Sequence, residues 1–292
     1  MAYCLTSMLI LLFRLLSVFP LPLMHAAGVV LGWTVYLLSG DYRKRMKENL
    51  ELAGYGGQLA AAVSEAGKGA LELPFVWCAP IERVLAKARM ENWEIVEDTL
   101  ASGQSILFLT PHLGCFEVLA MAISQRISLT ALYRPPRKDF LRPLVETARG
   151  RGKLLLAPAN LTGVRTLLKA LKSGRSIGLL PDQVPQEGEG VWADFYGKPA
   201  YTMTLPAKMH QMTGARMLLS YAERLPWGRG FKLRFVPFEE KLEGSPEEQA
   251  AAVNREMERL IAICPAQYFW SYNRYKKPAG AAPRPGETEQ AA

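Results

Sequence analysis

Ser105-Ile106-Leu107-Phe108-Leu109-Thr110-Pro111-His112-Leu113-Gly114-Cys115-Phe116-Glu117 is an apolar run, a turn and the start of a helix in thirteen residues. Residues 105–109 are short, apolar and bounded by turn formers, which predicts a buried strand. Pro111 and Gly114 mark a turn, and an amphipathic helix follows over 116–126. His112 and Glu117 are five residues apart. On one ideal helix their side chains would point about 140° away from each other. His112 is therefore placed before the helix, at the strand-to-helix junction, where Glu117 one turn in can reach back to an imidazole nitrogen and leave the other free to take a proton.

Two other chemistries compete for His112. A metal centre needs more ligands at compatible spacing, but His25 and His210 are distant and the four cysteines contain no CxxC pair. A thiol nucleophile at Cys115, activated by His112 at a helix N-terminus, is the more serious rival and predicts a covalent acyl-enzyme.

Further strands are expected at 128–133, 153–157, 176–180, 216–221 and 230–238, and helices at 139–150, 162–173 and 204–213. The expected fold is α/β, a central mostly parallel or mixed sheet with helices on both faces. His112, Arg134 and Asp182 each fall just beyond a strand, where ligands bind in open sheets of this kind. The region 40–100 reads as helical with a break at Gly54-Tyr55-Gly56-Gly57. Ser245-Pro246-Glu247-Glu248 opens a capped amphipathic helix over 245–263.

Residues 5–38 are almost wholly apolar, interrupted by Arg14, Pro20, Pro22 and His25. They make two segments of about 15 residues, a membrane anchor in the form of a kinked span or shallow hairpin. Arg43, Lys44, Arg45 and Lys47 follow, which by the positive-inside tendency places the rest of the chain in the cytoplasm. The expected division is an anchor at 1–40, one catalytic domain at 41–276 and a Pro- and Gly-rich disordered tail at 277–292. A net charge of +8 over 292 residues suits an anionic partner, either a membrane surface or an acidic protein. Nucleic acid is excluded as a partner, because no zinc finger, RNA-binding aromatic signature or basic heptad region is present. The scattered cysteines read as free thiols in a reducing compartment.

The His-x4-Glu block is followed by Tyr133-Arg134-Pro135-Pro136 with Arg149, by Leu180-Pro181-Asp182-Gln183 leading to Phe195-Tyr196-Gly197, and by Gln267-Tyr268-Phe269-Trp270 with Arg274-Tyr275-Lys276. In this order the blocks resemble the glycerolipid acyltransferase superfamily and, within it, the lipid A biosynthesis late acyltransferases. The resemblance implies transfer of a fatty acyl chain from acyl carrier protein to a hydroxyl of a Kdo-bearing lipid A precursor at the bacterial inner membrane, with no metal and no cofactor. It implies His112 as general base oriented by Glu117, and Arg134, Arg149, Asp182 and Arg274 as substrate-binding residues. Arg137 is a further guanidinium near the same block. Leu113 after the His and the pair Cys115-Phe116 before the Glu depart from the pattern, which leaves acyl length and acceptor position open. An acyltransferase for another glycolipid or a lysophospholipid, a non-catalytic lipid or carrier-protein binding module, and a thioesterase acting through Cys115 are the alternatives. For the oxyanion, the amides near Gly114 and Cys115 and the guanidinium of Arg134 are the candidates.

Overall fold

The computed structural model describes residues 2–136 and 139–287, so Arg137 and the last five residues of the expected tail lie outside the described residues. The chain runs α1 (Ala2–Leu16), α2 (Leu21–Leu38), α3 (Gly40–Leu52), α4 (Leu59–Cys78), α5 (Ile81–Leu85), β1 (Ala88–Glu91), α6 (Glu94–Ala101), β2 (Ile106–Leu109), α7 (Phe116–Arg126), β3 (Leu129–Tyr133), α8 (Arg142–Arg149), β4 (Leu154–Pro158), α9 (Leu161–Lys172) and β5 (Ser176–Leu179). It continues through β6 (Gly190–Phe195), β7 (Lys198–Met203), α10 (Leu205–Thr213), β8 (Arg216–Arg224), β9 (Phe231–Pro237) and α11 (Pro246–Ile261).

Seven strands form one sheet in the order β1-β9-β8-β2-β5-β3-β4. β8, β2, β5, β3 and β4 run parallel, while β9 is antiparallel to β8 and carries β1 alongside it. All four residues of β2 are buried, because its alternate side chains enter two different cores. Leu107 and Leu109 pack with Leu167, Met209 and Met257 from α9, α10 and α11. Ile106 and Phe108 pack with Phe75, Val96 and Val118 from α4, α6 and α7. A strand covered on both faces has no polar side to show, which is why its sequence is a continuous apolar run.

β1 lies inside the region expected to be helical; its Ala-Arg-Met-Glu sequence has little strand character, and pairing with β9 imposes the conformation. The hairpin β6–β7 is also absent from the strands expected above. Its turn is Tyr196-Gly197, both at positive φ (51° and 69°), the two-residue connection that matches strand twist. Asn254 on α11 donates to Asp194 O and Thr202 Oγ1 and ties the hairpin to the body. Ser245 and Glu248 make the expected reciprocal cap at the start of α11. Residues 277–287 lie against the hairpin, where Trp192 Nε1 donates to Ala282 O.

The first two helices form a hairpin clasped to the body. Gly28 and Gly32 on α2 meet Gly67 on α4 so closely that a Cβ on Gly32 would stand 2.3 Å from Val63 O. Arg83 donates to the elbow carbonyls of Ser17 (2.9 Å) and Val18 (3.0 Å). The outward faces remain apolar, with Leu11, Leu15, Val18, Val30 and Leu37 exposed. α2 is the one described helix long and apolar enough to cross a bilayer.

Candidate active site

Neighbouring strands in register build the centre of the site. β2 and β5 pair Leu109 with Leu179, and His112 and Asp182 each follow their paired residue by three positions. Both loops leave the sheet at one level and bring imidazole and carboxylate together. Asp182, 2% exposed, accepts from the His112 backbone N–H at 2.8 Å through Oδ2 and meets His112 Nδ1 at 2.8 Å through Oδ1. Burial alone would raise the Asp182 pKa, but the bonds to His112, aided by nearby Arg274, hold it below the usual carboxylate range. An ionised carboxylate accepts only, so Nδ1 carries a proton, and in the neutral ring, the form that can act as base, Nε2 holds the lone pair. Gln183 Nε2 lies 3.1 Å from that nitrogen.

The loop carrying His112 is fixed from its other side. Gly114 N donates to Gln267 O (3.0 Å), Cys115 N to Ala222 O (2.8 Å), and Phe269 N to His112 O (3.1 Å). Gly114 is at φ +61°, and a Cβ there would stand 1.9 Å from Ala222 O, so the turn requires glycine. These bonds commit the amides of Gly114 and Cys115, two of the expected oxyanion donors.

Glu117 does not reach the imidazole. It sits in the first turn of α7, as expected, but faces the end of α8 and accepts from Arg149 Nε at 3.1 Å on both oxygens, with Arg149 Nη2 closing a bidentate pair. Burial disfavours the Arg149 charge, yet Glu117 outweighs it and raises the guanidinium above its ordinary value. The contact expected of Glu117 thus belongs to Asp182, because the pairing of β2 with β5 delivers a carboxylate to Nδ1 before the helix begins.

The other expected site residues separate. Arg134, exposed beyond β3, and Arg149 both line the cavity described below. Asp182 is turned into the fold, with both of its oxygens on His112. Arg274 is 2% exposed and spends its guanidinium on Tyr201 O (2.7 Å), Thr202 Oγ1 (2.7 Å) and Asn254 Oδ1 (3.2 Å). It holds the β6–β7 hairpin and α11 together, with Nε buried and unpartnered. Of the aromatic residues in the same block, Trp270 is core, in ring contact with Tyr55, Tyr196 and Tyr268, whereas Phe269 is 46% exposed with its ring 6.4 Å from the His112 ring. Cys115 is buried, and burial, reinforced by Glu72, pushes its thiol well above the ordinary value. A thiol so placed is a poor nucleophile, the reverse of the electropositive setting that a reactive cysteine needs.

A cavity of about 570 Å³ opens beside His112. Glu117, Arg134, Arg149 and Gln183 line it together with His112, and its walls run down to Trp77, Met121, Ile123, Leu129 and Leu154. Leu129, Ala131, Leu132 and Arg134 line it in turn, so it runs the length of β3, about 13 Å. Its floor is open because Gly178 and Ala131, paired across β5 and β3, have almost no side chain to fill it. A long apolar slot with a base at its mouth and guanidinium groups beside it can hold an alkyl chain and present an anionic molecule to the base.

Residues 1–277 match the family described as bacterial lipid A biosynthesis acyltransferase. The chain is 26% identical over 280 residues to the lipid A biosynthesis lauroyltransferase of Escherichia coli K12, covering 91% of this chain and 89% of that one. It is 26% identical over 219 residues to the palmitoleoyltransferase of the same organism (73% and 70%) and 24% identical over 193 residues to its myristoyltransferase (65% and 59%). With an α/β sheet of the expected kind and a match that runs over nearly its whole length, this chain belongs to the bacterial lipid A biosynthesis acyltransferase family.

Proposed function

We propose that the protein transfers a fatty acyl chain from the thioester of acyl carrier protein to a hydroxyl of a Kdo-bearing lipid A precursor, with His112 as general base and Asp182 as its orienting carboxylate. The observation that carries this reading is the imidazole itself, with Nδ1 tied to a buried carboxylate while Nε2 serves the mouth of an apolar cavity. An alcohol is a poor nucleophile near neutral pH, and a base nitrogen within about 2.6–3.2 Å of the hydroxyl oxygen makes attack on the thioester feasible. Asp182 holds the tautomer and stabilises the imidazolium that forms. The alkyl chain occupies the slot between α7 and the β5–β3 floor. Arg134 and Arg149, the latter held in place by Glu117, meet phosphate or acidic sugar groups of the acceptor.

The apolar outer face of α1 and α2 attaches the enzyme to the membrane that carries the acceptor, with the catalytic domain in the cytoplasm. The net charge of +8 favours both an anionic bilayer and an acidic carrier. Lauroyl, palmitoleoyl and myristoyl transferases are all similar to this chain, so the cavity, and not membership of the family, decides the acyl length. The test is mass spectrometry of the lipid after incubating detergent-purified protein with acyl carrier protein thioesters and the precursor. A gain of one acyl mass that vanishes in His112→Ala supports the reading; acylation of a lysophospholipid alone, or release of free fatty acid alone, contradicts it.

A further inference from the structure

The nitrogen that must act as base already has a partner. With the Nδ1 proton directed at Asp182, the neutral imidazole that serves as base has only a lone pair to offer at Nε2. Gln183 Nε2, 3.1 Å away, is therefore the donor in that contact. It stands where the oxygen of an attacking hydroxyl has to stand, since a base takes its proton across about the same distance. The carboxamide must give up Nε2 for reaction to begin, and it is attached to the residue next to Asp182, at the mouth of the cavity.

Donors for the oxyanion are scarce on this rim. The backbone amides of His112, Leu113, Gly114 and Cys115 donate to Asp182 Oδ2, Pro111 O, Gln267 O and Ala222 O. Arg149 is bound to Glu117, and the acyl-transfer reading gives Arg134, on the same cavity wall, to the acceptor's anionic groups. The Gln183 carboxamide is uncharged, half-buried and bound to the one atom, His112 Nε2, from which the acceptor hydroxyl displaces it.

We propose that Gln183 is a catalytic residue whose side-chain amide exchanges His112 Nε2 for the thioester carbonyl oxygen as the acceptor hydroxyl binds; this rests on the acyl-transfer reading above. The hydroxyl oxygen attacks the carbonyl carbon, its proton passes to Nε2, and a C–O bond forms as the carbonyl π pair moves onto oxygen. That oxyanion accepts the Gln183 N–H. Collapse re-forms the carbonyl, breaks the C–S bond and sends the proton from Nε2 to the departing sulfur. Ester and free thiol are the products, and His112 is neutral again. A donor that is preorganised next to the base and engages only as charge develops stabilises the transition state more than the ground state.

The experiment is steady-state acyl transfer by the full chain carrying Gln183→Ala or the isosteric Gln183→Glu, with acyl carrier protein thioester and lipid A precursor, across pH. The expected result is a fall in kcat of about 10² to 10³ for Gln183→Ala. KM changes by less than a few-fold and the thermal midpoint is unchanged. The acid limb of kcat/KM moves to higher pH as well, because Gln183 donates to the neutral imidazole and so favours it. The other groups around the ring, Asp182 on Nδ1, the Phe116 and Phe269 rings, and the Glu117–Arg149 pair, remain in place in this variant. Gln183→Glu, which keeps the shape but places a carboxylate beside Nε2, is expected to move the limb further and to restore no activity. An active parent whose Gln183→Ala variant keeps activity within about threefold, with an unmoved acid limb, overturns this proposal alone. A parent that makes no acylated lipid overturns the acyl-transfer reading and the role of Gln183 with it.

Discussion

His112 is held by two bonds to one carboxylate, at the backbone N–H and at Nδ1, so ring and main chain are positioned by the same residue. Cys115, three residues on, has the opposite environment, with a thiol buried beside Glu72 and pushed well up by that burial. Cys115→Ala is therefore expected to keep acyl transfer within about threefold of the parent, since the thiolate needed for nucleophilic attack is not accessible. Loss of turnover, or a covalent acyl adduct at residue 115 on intact-mass analysis, would contradict this. The position of His112 ahead of its helix is legible in the sequence from the turn formers Pro111 and Gly114, but not from the five-residue spacing, since Glu117 never meets the ring. Its partner is not. Two carboxylates, Glu117 and Asp182, fall near the rim, and the choice between them depends on β2 lying beside β5, a pairing across 70 residues that no local pattern encodes. Arg274 is misleading for a related reason. An arginine in a motif looks the same in sequence whether it binds substrate or pins a hairpin, and only burial tells them apart.

At the scale of elements, a buried charge network joins α2 and α4 to the end of β8. Arg224 on β8 is paired with Glu72 on α4, its Nε 2.7 Å from Glu72 Oε2, and its Nη1 is 2.8 Å from Glu65 Oε2. His25 on α2 lies 3.1 Å from Glu72. Burial would raise Glu72, but Arg224 outweighs it and keeps the carboxyl below its usual range. Removing one partner strands the other, so Glu72→Ala is expected to cost about 3–5 kcal/mol of stability. The depressed pKa sets the sign of the pH dependence. The unfolded carboxyl titrates near ~4.3, so the contribution of Glu72 is complete above that pH and is lost as pH falls through the lower folded value. Melting curves from pH 7 to pH 3 should show Glu72→Gln less stable at neutrality but with a flatter acid decline. A variant as acid-sensitive as the parent would remove this account. The helices and strands with strong apolar periodicity are legible almost to the residue, α7 and α11 above all. β1 and the β6–β7 hairpin are not, because a partner strand in one and a Tyr-Gly turn at positive φ in the other decide their conformation.

At the scale of the molecule, an apolar slot leads from His112 along β3, and its depth depends on residues too small to fill it. A Cβ at Gly178 would meet only Leu129 Cδ1, at 3.8 Å, an ordinary contact, so a side chain there starts into the cavity without a backbone clash. Gly178→Leu is expected to shift the acyl profile of the product towards shorter chains and to leave the activity with short donors within a few-fold. An unchanged profile would place the alkyl chain elsewhere. The apolar N-terminal helices, the α/β layers and the strand-end positions of His112 and Asp182 are legible from apolar run lengths and motif order; the slot is not, since it is a property of how layers leave space. The central claim is that Asp182 orients His112. Its most direct test is the rate of acyl transfer by Asp182→Asn in the full chain, measured beside His112→Ala and the double variant. The amide keeps the shape of the side chain but no longer dictates the tautomer, so each single variant is expected to lose about 10³ to 10⁴ in kcat and the double variant no more than the worse of them. An Asp182→Asn enzyme within tenfold of the parent, or losses that multiply in the double variant, would contradict it.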